Sequence, residues 1–219
     1  MYKKVLYVAF GVFLWVMSTN LWAAPIQWTS GNGHWYEVIR TWENPYLPDS
    51  GVTWDEAQSY ALSLGGYLAT ITSAEENDFV YSLLESSDEW IWLGGRQEDG
   101  APTPDAGWYW VTGEPWTYTN WARYSNPDYY EPNDQNRGGD WSYIEDNGED
   151  YLMMFNIIAR DGSPQYGTWN DTTNTPKAVF VVEYDTYPVP EPKTMFLVGF
   201  GLVGLIVYLF SARCSSSAR

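Results

Sequence analysis

The sequence predicts an α+β fold class, with two helices in the first half of a central domain and short strands joined by long loops in the second half. Helical periodicity is confined to residues 53–84. From Trp90 onward, short apolar runs alternate with segments rich in Gly, Pro and Asn. Helices that precede the strands, rather than alternating with them, indicate an α+β arrangement and not a parallel α/β sheet.

The first predicted helix begins after Thr53, which stands three residues before Glu56 in the spacing of a capping box. Gly65 and Gly66 end it. Its apolar residues recur at helical intervals and are Ala57, Tyr60, Ala61 and Leu64.

The second predicted helix follows Thr72 or Ser73, either of which has a hydroxyl suited to an N-cap. Glu75 and Glu76 fall in its first turn, where negative charge interacts favourably with the helix dipole. Its predicted buried face consists of Phe79, Val80, Leu83 and Leu84.

Five segments are predicted to be strands because they are short, apolar and rich in β-branched or aromatic residues: 67–71, 90–93, 107–111, 152–158 and 178–184. Residues 120–151 form a long segment with little apolar periodicity. A loop of this length in a compact domain is usually functional or disordered. Motifs that could carry a function would therefore be expected here.

The two ends of the chain differ in composition from the central domain, which we place at residues 25–187. Residues 1–24 combine two lysines, a short apolar run and small residues, which is typical of a secretory signal peptide. Residues 188–219 contain Pro190-Glu191-Pro192, then an apolar, glycine-rich run at 194–211 that predicts a transmembrane helix. Arginines follow this run, so we expect the domain to lie outside the cytoplasm.

Composition excludes several functions. The chain has 28 acidic and 11 basic residues and a net charge of −17, so we expect no nucleic acid partner. The only cysteine, Cys214, lies in the C-terminal tail, so no disulfide is expected within the domain. The only histidine, His34, is expected to be exposed and inert, which excludes His-based catalytic triads and zinc sites.

Three short polar motifs provide candidate metal ligands: Glu131-Pro132-Asn133, Glu149-Asp150 and Trp169-Asn170-Asp171. They supply carboxylate and amide oxygens, the hard donors that Ca²⁺ prefers. Because Ca²⁺ takes about 6–8 oxygens, five side chains leave positions for water or for the hydroxyl of a ligand.

Several motifs in one order resemble the C-type lectin-like domain over about residues 35–185. They are Trp54-Asp55-Glu56-Ala57, the segment 64–71, Trp92-Leu93-Gly94-Gly95, the segment 110–121 and then the polar motifs above. The resemblance implies the C-type lectin-like fold, in which two helices flank small antiparallel sheets and a long loop binds calcium.

The resemblance also implies roles for single residues. Pro132 matches a proline whose cis peptide bond turns its neighbours toward the metal. Glu-Pro-Asn matches the version that prefers mannose, glucose, GlcNAc or fucose. The residues implied to bind both calcium and sugar are Glu131, Asn133, Glu149, Asn170 and Asp171.

Two departures from the family pattern leave alternatives open. The usual disulfide cysteines are absent. The spacing from Glu131 to Glu149 is long, so that an acid of the insert 136–147 is an alternative to Glu149 as the third acidic ligand. Asp134 and Asp150, with Glu98, Asp99 or Asp105, are candidates for a second, structural calcium site.

The C-terminal segment resembles the PEP-CTERM sorting signal of Gram-negative bacteria, with a Pro-Glu-Pro motif, a membrane helix and a basic end. The resemblance implies processing by an exosortase and delivery to the cell surface or the exopolysaccharide matrix.

The leading hypothesis is a non-catalytic, calcium-dependent carbohydrate-binding module. A structural or adhesive protein that uses the fold for protein contacts is the first alternative. A carboxylate-based enzyme acting on glycosides is the second, because two carboxylates suffice for that chemistry.

Overall fold

The computed structural model describes residues 24–134 and 148–188. Within them, two helices and eight strands form one domain. In chain order the elements are β1 (Ile26–Gln27), β2 (Trp35–Arg40), α1 (Trp54–Ser63), β3 (Tyr67–Leu68), α2 (Ala74–Ser82), β4 (Trp90–Gln97), β5 (Trp108–Trp110), β6 (Tyr151–Ile158), β7 (Pro164–Thr172) and β8 (Val179–Tyr184). A short 3₁₀ helix at Thr41–Glu43 follows β2.

Helix α1 begins with the predicted capping box. The Thr53 hydroxyl accepts a hydrogen bond from the Glu56 amide at 3.3 Å, and the Glu56 carboxylate accepts one from the Thr53 amide at 2.8 Å. Ala57 and Ala61 are fully buried, as their spacing predicts. The sequence prediction of this helix is confirmed.

Helix α2 is capped by Ser73, whose hydroxyl accepts a hydrogen bond from the Glu76 amide at 3.1 Å. Of the two predicted caps, Ser73 is therefore the one used. Thr72 instead donates its amide and hydroxyl to the buried Glu76 carboxylate, at 2.7 and 2.9 Å. Val80 is fully buried, while the other residues of the predicted apolar face pack partly buried against the core.

The sheet is mixed. Its strand order is β1-β2-β8-β4-β6-β7, with β3 paired to β8 and β5 paired to β4. Strands β4 and β8 run parallel, and the other pairs are antiparallel. The expectation of separate small antiparallel sheets is therefore corrected, because β8 pairs with β2 on one side and β4 on the other and so joins the strands into one sheet.

Strands β4 and β8, at the centre of the sheet, bury the side chains on both of their faces. Ile91, Leu93 and Val181 belong to one apolar cluster, together with Val80 of α2. Trp92 and Phe180, which alternate with them, belong to a second cluster that includes Ala57 and Ala61 of α1. Since successive side chains of a strand point to opposite faces, the two helices cover opposite sides of the sheet.

The predicted strands are present, although the one predicted at 67–71 is limited to Tyr67–Leu68. Strands β1, β2 and β7 were not predicted from local pattern. Strand β7 carries Gln, Gly, Asn and Asp, so its sequence has no apolar alternation, and pairing with β6 defines it. Tertiary pairing here overrides the local preference.

The expectation that His34 is exposed and inert is wrong. Its side chain is 27% exposed, and its Nδ1 atom lies 2.7 Å from Oε1 of the buried Glu183. The contact arises because β2 pairs with β8, which sets Trp35 opposite Tyr184.

Several predictions lie outside the described residues: the signal peptide, the C-terminal transmembrane helix and the insert 136–147. Over the ranges 24–134 and 148–188, no helix has both the length and the apolar character needed to cross a membrane.

Candidate metal and sugar site

The segment around Pro132 is held beside strand β7 by the backbone. The Glu131–Pro132 peptide bond is cis, which confirms the prediction for this proline. The Glu131 amide donates to the Ala122 carbonyl at 3.0 Å, and the Ala122 amide donates to the Trp169 carbonyl at 2.8 Å. Residues 122 and 131 thus form a short bridge from β7 to the Glu-Pro-Asn motif.

Asp171, at the end of β7, fixes the motif from the other side. Its carboxylate accepts hydrogen bonds from the amide of Asn133, at 2.9 and 3.1 Å, and from the amide of Asp134, at 2.6 Å. The side chain is only 1% exposed. Asp134 itself has φ 50°, in the left-handed region that few non-glycine residues adopt.

Glu131 turns its carboxylate into the same region and is 4% exposed. Its Oε1 atom accepts a hydrogen bond from the Tyr124 hydroxyl at 2.7 Å, and its Oε2 atom accepts one from the side-chain amide of Asn133. Arg123 donates to the backbone carbonyl of Glu131 at 3.0 Å, and not to the carboxylate. Within residues 24–134 and 148–188, no lysine or arginine forms an ion pair with Glu131 or Asp171.

The two buried carboxylates therefore oppose each other's ionisation. Burial raises the pKa of Glu131, and the negative charge of Asp171 raises it further. Burial also raises the pKa of Asp171, although hydrogen bonds from the amides of Asp134 and Asn133 favour its charged form. Carboxylates in this arrangement are stabilised by a shared proton or by a bound cation.

Asn170 and Glu149 lie next to this pair. Asn170 is half-buried on β7, and its side-chain amide donates to the backbone carbonyl of Asp171. Glu149 precedes β6 and is mostly buried, and its amide donates to Asp134 Oδ1 at 3.0 Å. The structure thus brings Glu131, Asn133 and Asp171 into direct contact, and connects Glu149 to them through Asp134.

In the part of the chain that the structure describes, the site contains fewer carboxylates in mutual contact than the predicted ligand set has. No group of three or more His, Cys, Asp or Glu side chains is gathered there as a metal site. Two buried carboxylates and the side-chain oxygen of Asn133 nonetheless bring oxygen donors together without an ion pair to any described lysine or arginine, which is the chemistry that Ca²⁺ requires. These donors fit a calcium ion.

The candidates for a second calcium site also interact. Burial raises the pKa of Asp150, and the charges of Asp134 and Asp99 raise it further, while the nearby Arg96 lowers it. Asp134 and Asp99 therefore each lie close enough to Asp150 to oppose its ionisation. The second site stays a prediction.

Sequence patterns did not reveal all the residues that support the site. Tyr124 orients Glu131, but it lies in a loop without any recognisable motif. Trp169 is fully buried behind the site and donates its indole N–H to Asn77 of α2 at 2.8 Å. Neither contact could be found without the fold, because each joins segments that are distant along the chain or lack periodicity.

Comparison with known proteins places this chain in a family. The family model described as the lectin C-type domain matches residues 50–181, and a PEP-CTERM protein-sorting motif matches residues 188–213. Mouse asialoglycoprotein receptor 2 is 32% identical over 126 residues, covering 57% of this chain and 36% of the receptor. Halomucin of Haloquadratum walsbyi is 34% identical over 148 residues, covering 62% of this chain and 1% of halomucin.

The α-N-acetylgalactosamine-specific lectin of Patiria pectinifera is 32% identical over 117 residues, covering 49% of this chain and 60% of that lectin. Among solved structures, the cow CD23 carbohydrate-recognition domain aligns with a TM-score of 0.49 at 23% identity, covering 74% of this chain and 92% of that one. The chain spans about a third of the length of the mouse receptor, and less of several other relatives. By its family model, which covers more than half of its residues, the chain belongs to the C-type lectin family.

Proposed function

We propose that this lectin binds carbohydrate through calcium at the Glu-Pro-Asn motif, without catalysing a reaction. One observation supports this most directly: the carboxylates of Glu131 and Asp171 are buried together without an ion pair to any lysine or arginine of the described residues. Burying two such charges is costly unless a cation compensates them.

The residues that would hold the ion are Glu131, Asn133, Glu149, Asn170 and Asp171. Bound calcium supplies a Lewis-acidic centre with positions open to two neighbouring sugar hydroxyls. Glu131 accepts a hydrogen bond from one hydroxyl, and Asn133 donates its amide to the other. Tyr124 holds the Glu131 carboxylate in place, and Asp171 holds the backbone of Asn133, so that both ligand-facing groups are oriented in advance.

The order of residues in Glu-Pro-Asn supports a mannose-type preference, which includes glucose, GlcNAc and fucose. Family membership alone does not determine the sugar, since one relative is named for α-N-acetylgalactosamine. The preference follows from which side of the site accepts a hydrogen bond from a sugar hydroxyl and which side donates one.

The PEP-CTERM motif indicates an exported protein of the Gram-negative cell surface. We propose that the signal peptide is removed, that an exosortase processes the C-terminal segment, and that the transmembrane helix anchors the protein only before processing. The lectin would then act at the cell surface or in the exopolysaccharide matrix.

The test exchanges the donor and acceptor sides of the site. The double variant Glu131→Gln with Asn133→Asp keeps the number of oxygen donors and the total charge. By resemblance to galactose-type lectins, we expect its affinity to move from methyl mannoside toward methyl galactoside, while calcium affinity changes little. Calorimetric titration of each sugar into both proteins, in calcium and in EDTA, measures this.

The exposed Glu114 provides a matched control, since Glu114→Gln makes the same chemical change outside the site. Sugar binding that survives EDTA, or that the double variant leaves unaltered, would contradict the proposed site. Binding of no sugar at all would favour the adhesive-protein alternative.

A further inference from the structure

Two cavities on the surface of the domain share one wall, the side chain of Trp90. The smaller, of about 330 Å³, lies between the start of β4 and the end of β7 and is also lined by Glu149, Thr172 and Lys177. The larger, of about 660 Å³, lies beyond Trp90, between the end of α2 and the β6–β7 hairpin. Trp90 lines both cavities and is 40% exposed, so a ligand in either space can reach it from solvent.

The smaller cavity adjoins the candidate calcium site at one residue. Glu149, which belongs to the predicted ligand set, is among its lining residues. A sugar held at Glu131 and Asn133 as part of a longer chain would have this cavity beside it.

The larger cavity has the walls of a sugar site. The exposed rings of Trp90 and Tyr166 offer apolar faces, and Tyr166 stacks on Tyr81 with the ring centroids 6.3 Å apart. Asn156 is fixed between the Tyr81 hydroxyl, at 3.1 Å, and the carbonyl of Glu85, at 2.9 Å. The volume of the larger cavity is within the range of about 300–1,000 Å³ that small-molecule sites occupy.

Two exposed carboxylates, those of Glu85 and Glu89, lie among the lining residues of this cavity. Carboxylates and an oriented amide accept hydrogen bonds from hydroxyl groups, while ring faces pack against the C–H faces of a pyranose. The chain's net charge of −17 disfavours an acidic polymer. A neutral polysaccharide has the chemistry that fits these walls.

We propose that the calcium site is one end of an extended groove for a polysaccharide chain, which runs past Glu149, over Trp90 and into the larger cavity. The inference rests on the proposed function and specifies its ligand as a polymer rather than a single sugar. From Glu149 to Asn156 the backbone advances seven residues, which at strand spacing is about 23 Å. One monosaccharide cannot contact both ends of such a groove.

The test compares one sugar with its oligomers on the purified full-length protein. Methyl mannoside and linear mannose oligomers of two to six residues are titrated in saturating calcium. We expect affinity to rise with oligomer length. Trp90→Ala and, separately, Tyr166→Ala should weaken binding of the hexamer roughly fivefold, the effect of losing one aromatic contact, and leave methyl mannoside binding unchanged.

Trp42→Ala is the matched control, because Trp42 is 43% exposed and lines neither cavity. Circular dichroism and the melting temperature establish whether each variant is folded. If Trp90→Ala does not fold, Tyr166→Ala still tests whether the larger cavity contributes to hexamer binding. Suppose that methyl mannoside binds normally, that the hexamer binds no more tightly than methyl mannoside, and that neither variant weakens hexamer binding. This result would overturn the groove but not the proposed function. Failure of both probes to bind in calcium would overturn the proposed function and the groove together.

Discussion

Asp171 has two roles in the site. As an acceptor for the amides of Asn133 and Asp134, it joins the end of β7 to the Glu-Pro-Asn segment. As a buried carboxylate beside Glu131, it creates the negative charge that a cation would neutralise. The same side chain therefore connects the conformation of the loop to the metal.

Another buried carboxylate, that of Glu183 on β8, is not part of this site and is paired with His34 and Tyr36. Burial, together with a smaller contribution from the charge of Glu76, raises the pKa of Glu183 to about 7, although hydrogen bonds from His34 and from the Thr70 amide oppose the shift. Glu183 thus keeps a proton in the folded protein at pH values where an exposed glutamate is ionised.

The stability of the protein should therefore depend on Glu183 between about pH 4.5 and pH 7. In this range the folded state binds more protons than the unfolded state, so the free energy of unfolding falls as the pH rises. Glu183→Gln should reduce this fall by an amount on the order of 3 kcal/mol. Urea unfolding at several pH values, in chelator, measures the slope.

Glu114→Gln is the control, since that glutamate is exposed. A slope unchanged by Glu183→Gln would show that Glu183 ionises normally.

Helix α1 shows how a local signal becomes an element. Its capping box satisfies the first amides of the helix, and its buried alanines then face the second apolar cluster. The helix spans ten residues, a length at which an isolated helix is marginal in water. Its stability therefore depends on both its cap and its packing.

Thr53→Ala should destabilise the domain by about 1 kcal/mol, because the Glu56 amide loses its acceptor at the helix start. Ser59→Ala, on the exposed face of the same helix, is the control. Urea unfolding of both variants beside the parent protein measures the difference. Equal stability of Thr53→Ala and the parent would mean that the cap contributes nothing to folding.

At the scale of the whole molecule, the domain has no internal disulfide, because the only cysteine of the sequence lies outside it, in the C-terminal tail. Its stability comes from two apolar clusters on opposite faces of the sheet and from a group of tryptophans whose rings pack edge-on or tilted against Trp169. A metal bound at the loop would add to this stability, since it binds only the folded state.

Calcium should therefore raise the melting temperature. At a concentration one hundred times Kd, a ligand that binds only the folded state stabilises it by about 2.7 kcal/mol. Magnesium at the same concentration should have little effect, because it gives up its water reluctantly. Identical melting curves in calcium and in EDTA would contradict the metal site, and Asp171→Asn should abolish any calcium-dependent shift.

The sequence by itself determined those features that depend on neighbours along the chain. Helix α1 and its cap follow from residues three and four apart, and the motif order identified the family and the cis bond before Pro132. Strand β7 could not be predicted, since its polar residues have no apolar alternation and its structure is defined by pairing with β6.

Only the tertiary structure decided the contacts between distant segments. Asn133 and Asp171 are 38 residues apart, and Tyr36 and Glu183 are 147 apart, so no local pattern could place them together. Strand pairing brings such residues together, and burial then sets their charge and their hydrogen bonds. The sequence therefore named the donors of the candidate site, while the fold determined which of them meet and that Trp90 lines two cavities, one of which Glu149 also lines.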